Sequence, residues 1–319
     1  MKARKQSPIE RRVFLKQGVA VAVILAGNRA LTGESEAATI PFAYSLYGMK
    51  MLPLERALAA CAEMGYDAVE LATMEGWHAD PAKLSGESRQ KLSRLLSDLN
   101  LGLASLMENV ALDVDDAVHR RNVDRLRSVA EIAHELAPDR PPLIETVLGG
   151  KAGTWESVRE RFAARLTDWE RVAADTQTVL AVKPHRFGAM NTPEQALWLL
   201  ERVQSPWIRL VYDFSHFQHR EFAMTDTLRQ LLPSAAMIHI KDAVVEDGKP
   251  RFVLPGDGGV DYVELLKQAV AGGFSGPVCV EVSGMVQSQR GYDAIAAAER
   301  AYQNVAPAFS KAGVSRSRK

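Results

Sequence analysis

The sequence lacks several features that would each assign it to a class of protein. Only Cys61 and Cys279 among 319 residues are cysteine, too few for the disulfide framework of a small secreted domain. Both lie in apolar segments and are expected to be free core residues. The 39 basic and 39 acidic side chains cancel, unlike the basic balance expected of a nucleic-acid-binding protein. No apolar run reaches the 20 or so residues of a membrane-spanning helix.

The first 37 residues have the layout of an export signal, with basic residues first, then an apolar run, then small residues up to Ala37. Arg11 and Arg12, with Phe14–Lys16, closely resemble a twin-arginine signal, although Glu10 stands where that signal usually has Ser or Thr. We expect cleavage near Ala37, a periplasmic or extracytoplasmic location, and the twin-arginine translocase as a partner during export. A short amphipathic helix on a cytosolic protein is the alternative.

Short apolar runs alternate with longer amphipathic ones through the rest of the chain, which is typical of parallel strands joined by helices. A doubly wound open sheet has the same alternation, but no Gly-x-Gly-x-x-Gly follows the first strand. Eight strand–helix pairs favour a single (β/α)8 TIM barrel over residues 38–309, between the signal (1–37) and a disordered basic tail (310–319). The predicted strands are Phe42–Gly48, Asp67–Ala72, Leu101–Met107, Pro142–Val147, Thr178–Lys183, Ile208–Asp213, Met237–Lys241 and Pro277–Val282.

Most of these strands end in a charged residue, although buried parallel strands are usually apolar throughout. Unpaired buried charge is costly, and barrel enzymes carry their active sites at the carboxyl ends of the strands. The pattern therefore predicts an active site there. Its candidate residues are Glu70, Glu108, Glu145, Lys183 with His185, Asp213 with His216, His239 with Lys241, and Glu281. Trp77, after the second strand, is a candidate for lining the pocket, with a packing role as the alternative.

The later half of the chain carries a family resemblance. Its motifs resemble the sugar phosphate isomerase/epimerase superfamily, whose members are xylose isomerase-like barrels. The resemblance implies a divalent metal (Mn, Zn or Mg) held by two acids, an Asp and a His, and a substrate-contacting Arg after the seventh strand. Asp213, His239 and Glu281 match three of the ligands, and Arg251 matches the arginine. The motifs are Val211–His216, Ile238–Ala243, Arg251–Gly258 and Gly273–Glu281.

Lys183 is the departure from the family pattern, because relatives commonly have Glu at the end of the fifth strand. Two interpretations follow. Glu145 or His185 supplies the missing metal ligand, which is the favoured interpretation. Alternatively, Lys183 is itself the cation among Glu145, Asp213 and Glu281, and the site needs no metal.

The resemblance implies an exported sugar isomerase or epimerase that acts through an enediolate on a small-molecule sugar. Such chemistry needs a base, a second proton carrier and an electrophile. Glu145 or Glu281 is the expected base, His185 or His216 moves the second proton or orients hydroxyls, and the metal, or Lys183 with Lys241, holds the oxyanion. Glu108 and Trp77 are expected to contact the substrate. A keto-sugar lyase is the close alternative, and a non-catalytic sugar-binding protein is the next. A homo-oligomer is left open.

Overall fold

The computed structural model describes residues 39–317, so the expected signal and the last two residues lie outside the described residues. Eight parallel strands form a closed barrel in the order β1-β10-β7-β6-β5-β4-β3-β2. The predicted TIM barrel is therefore confirmed. Its strands are β1 Phe42–Ser45, β2 Ala68–Ala72, β3 Gly102–Met107, β4 Leu143–Val147, β5 Leu180–Lys183, β6 Ile208–Tyr212, β7 Ala235–Ile240 and β10 Val278–Val280.

Helices follow the strands and cover the outside of the barrel with their apolar faces. Several begin at side-chain caps; Thr192, for example, forms a capping box with Gln195. In the described residues no helix is long and apolar enough to cross a membrane. The helices are α1 Leu54–Met64, α2 Gly86–Asp98, α3 Asp116–Leu136, α4 Trp155–Thr176, α5 Pro193–Val203, α6 Met224–Leu231, α7 Tyr262–Ala271, α8 Gly284–Gln287 and α9 Ala294–Ala312.

An antiparallel hairpin of β8 (Asp242–Glu246) and β9 (Lys249–Val253) follows β7 at the mouth of the barrel. Its two-residue turn consists of Asp247 and Gly248, both with positive φ, the conformation of the tight turn that suits hairpins. The hairpin is an addition to the eight predicted strand–helix pairs. It brings chain from beyond the seventh strand over the carboxyl ends of the strands.

Residues 310–317 have ordered structure where a disordered tail was expected over residues 310–319; residues 318–319 lie outside the described residues. Helix α9 continues to Ala312, and Ile40 donates a backbone hydrogen bond to Ser315 at 2.9 Å. Arg316 pairs with Asp67 at 2.7 Å and lies over the ring of Phe42. A basic segment at the chain end suggested solvation, but the buried carboxylate of Asp67 at the amino end of the barrel holds it in place.

Candidate active site

The barrel interior is arranged in layers. An apolar layer consists of Ala43, Ala68, Ala181, Val211, Met237 and Cys279. Side chains along a strand alternate faces, so the residues two positions later form the next layer toward the carboxyl ends. This polar layer consists of Ser45, Glu70, Lys183, Asp213, His239 and Glu281, and Glu145 on β4 has the same orientation, two positions after Leu143. Both cysteines are buried and free, as expected.

Glu281 lies at the centre of the polar layer. Its Oε2 atom accepts hydrogen bonds from Lys183 Nζ at 2.7 Å and Lys241 Nζ at 2.8 Å, and His239 Nδ1 lies 3.1 Å away. Burial alone raises the pKa of a carboxyl, but the two ammonium groups hold the pKa of Glu281 well below its usual range. Glu281 therefore stays ionised.

Asp213 anchors the other side of Lys241. Its Oδ2 atom accepts from Lys241 Nζ, and its Oδ1 atom accepts from the backbone and hydroxyl of Ser215 at 3.1 and 2.6 Å. Against the effect of burial, Lys241 lowers the pKa of Asp213. Each ammonium group is thus held by carboxylates inside the barrel, and the side chains of Lys183 and Lys241 are only 3% and 2% exposed.

His239 connects this cluster to Glu70. Its Nε2 atom lies 3.1 Å from Glu70 Oε2, which also accepts from Ser105 at 2.7 Å, and its Nδ1 atom lies 2.9 Å from Lys183 Nζ. Burial and the nearby Lys183 disfavour protonation of His239. The carboxylates of Glu70 and Glu281 outweigh them and raise its pKa to about 9.

Glu145 is different from the other carboxylates. It is buried, and its Oε2 atom has no hydrogen-bond partner among the residues that the structure describes. Lys183 Nζ lies 3.8 Å from this oxygen. Burial, opposed by the charge on Lys183, raises the pKa of Glu145 to about 7. A carboxyl group with this pKa exchanges its proton readily near neutral pH.

His185 and His216 lie side by side toward the mouth, with ring centroids 4.3 Å apart. Burial lowers the pKa of His185 to about 2, and His216 and Lys183 add to this effect. Burial likewise lowers the pKa of His216 to about 4, although Asp213 opposes it. Both imidazoles are therefore neutral at neutral pH and can each donate one hydrogen bond and accept another.

A cavity of about 240 Å³ opens beside these groups and is lined by Lys183, His185 and Phe187. Gly149 and Gly150 form another side of it, both with positive φ. A Cβ atom on Gly150 would lie 2.7 Å from the Ala189 side chain, so a larger residue there requires a shift of the wall. The cavity gives a small molecule access to Lys183.

Glu108, Trp77 and Arg251, which were predicted from the sequence as site residues, lie outside the charged cluster. Glu108 pairs with Arg125 at 2.9 Å. Trp77 stacks on Tyr47 with ring centroids 4.9 Å apart. Burial raises the pKa of the Tyr47 hydroxyl, and the charge on Glu281 adds to the effect.

Arg251 lies on β9, paired with Glu246 at 2.6 Å, and lines a separate cavity of about 400 Å³. Its neighbour Phe252 contacts the site instead, with its ring 5.2 Å from both the His216 ring and Lys241 Nζ. Neighbouring strand residues face opposite ways, so the two cannot both point inward. Sequence reasoning did not single out Phe252, because the hairpin that places it was not predicted.

A family model described as xylose isomerase-like TIM barrel matches residues 58–304, more than half of the chain. The chain belongs to this family. It is 24% identical over 257 residues to the inosose dehydratase of Geobacillus kaustophilus (strain HTA426), covering 71% of this chain and 79% of that protein. It is 25% identical over 235 residues to the L-ribulose 3-epimerase of Methylomonas sp. (strain DH-1), covering 71% and 77%.

Solved structures of xylose isomerase-like proteins share the fold. A protein of Mycobacterium smegmatis in complex with magnesium has a TM-score of 0.66 and 16% identity, covering 86% of this chain and 98% of that one. The IolI protein with a bound zinc atom has a TM-score of 0.67 and 20% identity, covering 86% and 98%. Metal ions therefore occur in proteins of this fold.

Candidate metal ligands are present in this chain, since ligand atoms of Asp213, His239 and Glu281 lie within 4.8 Å of one another. However, Lys183 Nζ lies at hydrogen-bonding distance from both Glu281 Oε2 and His239 Nδ1. A cation bonded to both atoms at about 2.1 Å lies less than about 4 Å from that ammonium group on either side. As arranged, these side chains do not fit a divalent metal.

Proposed function

We propose that the protein removes a proton next to a carbonyl group of a small sugar, through an enediolate, and acts as a sugar isomerase or epimerase. The observation that carries this proposal is the carboxylate oxygen of Glu145, buried without a hydrogen bond among the described residues and 3.8 Å from an ammonium group. Abstraction of such a proton needs a free base beside a cation that holds the developing oxyanion. Membership of a family that includes an epimerase and a dehydratase supports the same chemistry.

Glu145 is the base in this proposal. Its pKa of about 7 lets it take a proton and return it at neutral pH. Glu281, the alternative expected from the sequence, has three nitrogen atoms around Oε2 and a strongly lowered pKa. It is a weak base, and its role is to hold the two ammonium groups in position.

Lys183 and Lys241 stabilise the oxyanion. Both ammonium groups are buried, and in a site from which water is excluded such charges act more strongly than in solution. Because carboxylates already hold them, no reorganisation is needed when charge develops on the substrate.

His185 orients a substrate hydroxyl through Nε2, since its Nδ1 atom accepts from the Phe187 backbone, whereas both ring nitrogens of His216 already have protein neighbours. Aromatic rings flank the site on two sides, with Tyr47 and Trp77 on one and Phe252 on another. Aromatic faces contact the C–H faces of sugar rings, so in this proposal Phe252 and the stacked pair of Tyr47 and Trp77 form the substrate wall.

A β-elimination is the second candidate, because it begins with the same proton abstraction. The relative named inosose dehydratase favours it. In this reaction Glu145, protonated by the abstraction, delivers the proton to the leaving hydroxyl group, which departs as water. Product analysis distinguishes the two, since an isomerase conserves the formula of the sugar and a dehydratase releases water.

Exchange of a substrate C–H with deuterated solvent tests the proposal directly. Purified protein is incubated in D2O with ketoses, aldoses, keto-glycosides and inososes, and proton NMR follows loss of the signal next to the carbonyl. We expect enzyme-dependent exchange with at least one class. Binding without exchange across the panel contradicts the proposal and indicates a sugar-binding protein instead.

Glu145→Gln tests the base. The substitution keeps size and removes the proton acceptor, so we expect exchange to fall by roughly 100-fold to 10,000-fold. Glu131→Gln on the exposed face of α3 is the matched control and is expected to leave exchange unchanged. Retention of full exchange by a folded E145Q variant excludes Glu145 as the base.

We further propose that the protein is exported by the twin-arginine route. The support for this is the pair Arg11 and Arg12 with the apolar and small residues that follow.

A further inference from the structure

We propose that Lys183 and Lys241 replace the divalent metal, so that the site operates with two protein ammonium groups as its cation. The catalytic role of the two ammonium groups rests on the proposed function, whereas the test of this inference by metal binding does not.

Glu281 is the acid shared by both lysines. Its Oε2 atom has three nitrogen neighbours, Lys183 Nζ at 2.7 Å, Lys241 Nζ at 2.8 Å and His239 Nδ1 at 3.1 Å. A carboxylate oxygen has two lone pairs. This oxygen therefore has no electron pair left for a metal unless an ammonium group leaves.

The other two candidate ligands are engaged as well. Asp213 uses Oδ1 for Ser215 and Oδ2 for Lys241. His239 has Nε2 against Glu70 and Nδ1 against Lys183. Oε2 of Glu281, both carboxylate oxygens of Asp213 and both ring nitrogens of His239 therefore each lie against another polar group, and in each of these three residues an ammonium group is one of the neighbours.

The charges of this buried cluster are balanced without a metal ion. The two ammonium groups neutralise Asp213 and Glu281, the acids that would otherwise attract a divalent cation. Lys183 is the last residue of β5 and its side chain is 3% exposed, so its ammonium group cannot move into solvent without leaving the barrel interior. A metal ion entering this cluster would have to separate buried ion pairs, which is strongly unfavourable.

The reaction still balances in protons and electrons when two ammonium groups take the place of the metal. Glu145 takes the proton from carbon, the electron pair moves onto the carbonyl oxygen, and the ammonium groups hold the resulting negative charge. Glu145 exchanges its proton with solvent and returns a proton to carbon; in an isomerase that carbon is the former carbonyl carbon, and the proton of the hydroxyl group on the neighbouring carbon moves to the former carbonyl oxygen. No oxidant, reductant or co-reactant is needed.

Metal content of the purified full chain tests the inference. Elemental analysis after purification without chelator is expected to find far less than one equivalent of Mn, Zn or Mg per chain. Calorimetric titration with each metal is expected to show no stoichiometric binding. One equivalent of retained metal, or saturable one-to-one binding at this site, overturns the inference.

Two variants then assign the effect to Lys183. Lys183→Glu removes the ammonium group and restores an acid at the end of β5, so we expect it to bind Mn or Zn at least tenfold more tightly than the unaltered protein. Lys183→Met removes the charge without adding a ligand and is expected to bind metal more weakly than K183E. Lys311→Glu, on the exposed end of α9, is the surface control and is expected to gain nothing.

A folded K183E variant that gains no metal binding contradicts the assignment to Lys183. If K183E fails to fold, the titration of the unaltered protein and of K183M decides. These readouts need no turnover, so they separate this inference from the proposed function. Stoichiometric metal with active exchange overturns only the inference, and absence of both metal and exchange overturns only the proposed function.

Discussion

Glu145 and Glu281 lie in the same buried layer of the barrel but have opposite electrostatic surroundings. Glu281 Oε2 receives two ammonium groups at hydrogen-bonding distance, whereas Glu145 Oε2 has one at 3.8 Å and no hydrogen bond among the described residues. Burial therefore dominates for Glu145 and ion pairing for Glu281. Two identical side chains acquire different chemistry, one suited to exchange a proton and the other to stay ionised.

The pH dependence of solvent exchange follows from the pKa of about 7 for Glu145. A base acts only when it has lost its proton, so we expect exchange to rise about tenfold per pH unit below this value and to level off above it. The pKa values of His185 and His216 are about 2 and 4, so neither adds a limb between pH 5 and 8. Exchange rates by NMR across that range provide the check, and a flat profile contradicts the assignment.

The alternation of strand side chains shows which residues of one strand share a face, and in the structure Cys279 shares a face with Glu281, and Ala181 with Lys183. The alternation cannot show which residues on different strands contact one another. Lys183 and Glu281 are 98 positions apart, and their contact depends on the closure of the barrel. Sequence therefore suggested Lys183 as a cation among acids but left the metal open, because the answer lies in interatomic distances.

At the level of elements, the hairpin β8–β9 has a local signal that sequence analysis could have used. Asp-Gly at positions 247–248, between Val-Val and a run ending in Phe-Val, is typical of a two-residue hairpin turn. Both residues have positive φ, 50° and 72°. The hairpin matters for the site because it brings Phe252 against His216 and Lys241.

Asp242 fixes the loop that follows this hairpin. Its Oδ2 atom accepts backbone hydrogen bonds from Gly256, Gly258 and Val260, and its Oδ1 atom accepts from the Tyr262 hydroxyl. The residue comes directly after Lys241, so the same backbone positions the ammonium group and the loop. One buried carboxylate thus links the end of β7 to the start of α7.

Asp242→Asn is expected to lower the free energy of unfolding by about 2 kcal/mol or more, since an amide nitrogen cannot accept hydrogen bonds and bonds to charged acceptors contribute roughly 1.5–3 kcal/mol each. Tyr262→Phe removes one of the four bonds and is expected to lower it by roughly 1.5–3 kcal/mol. Urea unfolding followed by circular dichroism measures both. Equal stability of D242N and the unaltered protein contradicts this role for Asp242.

At the level of the whole molecule, the eight alternating pairs, the lack of a Gly-x-Gly-x-x-Gly after the first strand and the family resemblance together predicted the barrel; each strand and helix is encoded locally by its hydrophobic period. The end of the chain was not predictable in this way. Arg316 and Asp67 are 249 positions apart, and nothing near Arg316 in sequence distinguishes a docked arginine from a solvated one.

Export is a property of the whole chain and is tested on it. Replacing Arg11 and Arg12 together by Lys keeps the charge and removes the guanidinium pair, so we expect the exported fraction to fall close to zero. Immunoblots of periplasmic and cytosolic fractions from a bacterial host measure it. Lys2→Gln, which leaves the pair intact, is the control, and unchanged export of the double variant contradicts the proposal.

The barrel closes by pairing β1 with β10, and Arg316 then joins the last residues to the start of β2. The first strand to be synthesised, β1, therefore gains its second neighbour only after β10, the last strand of the barrel, has been synthesised. While a ribosome still holds the final residues, the first strand has only one of its two neighbours, and the cluster around Glu281 lacks its central acid. We expect the barrel to close only after β10 and Glu281 have emerged from the ribosome, so the proposed twin-arginine route, which carries folded proteins, would receive the chain after that step.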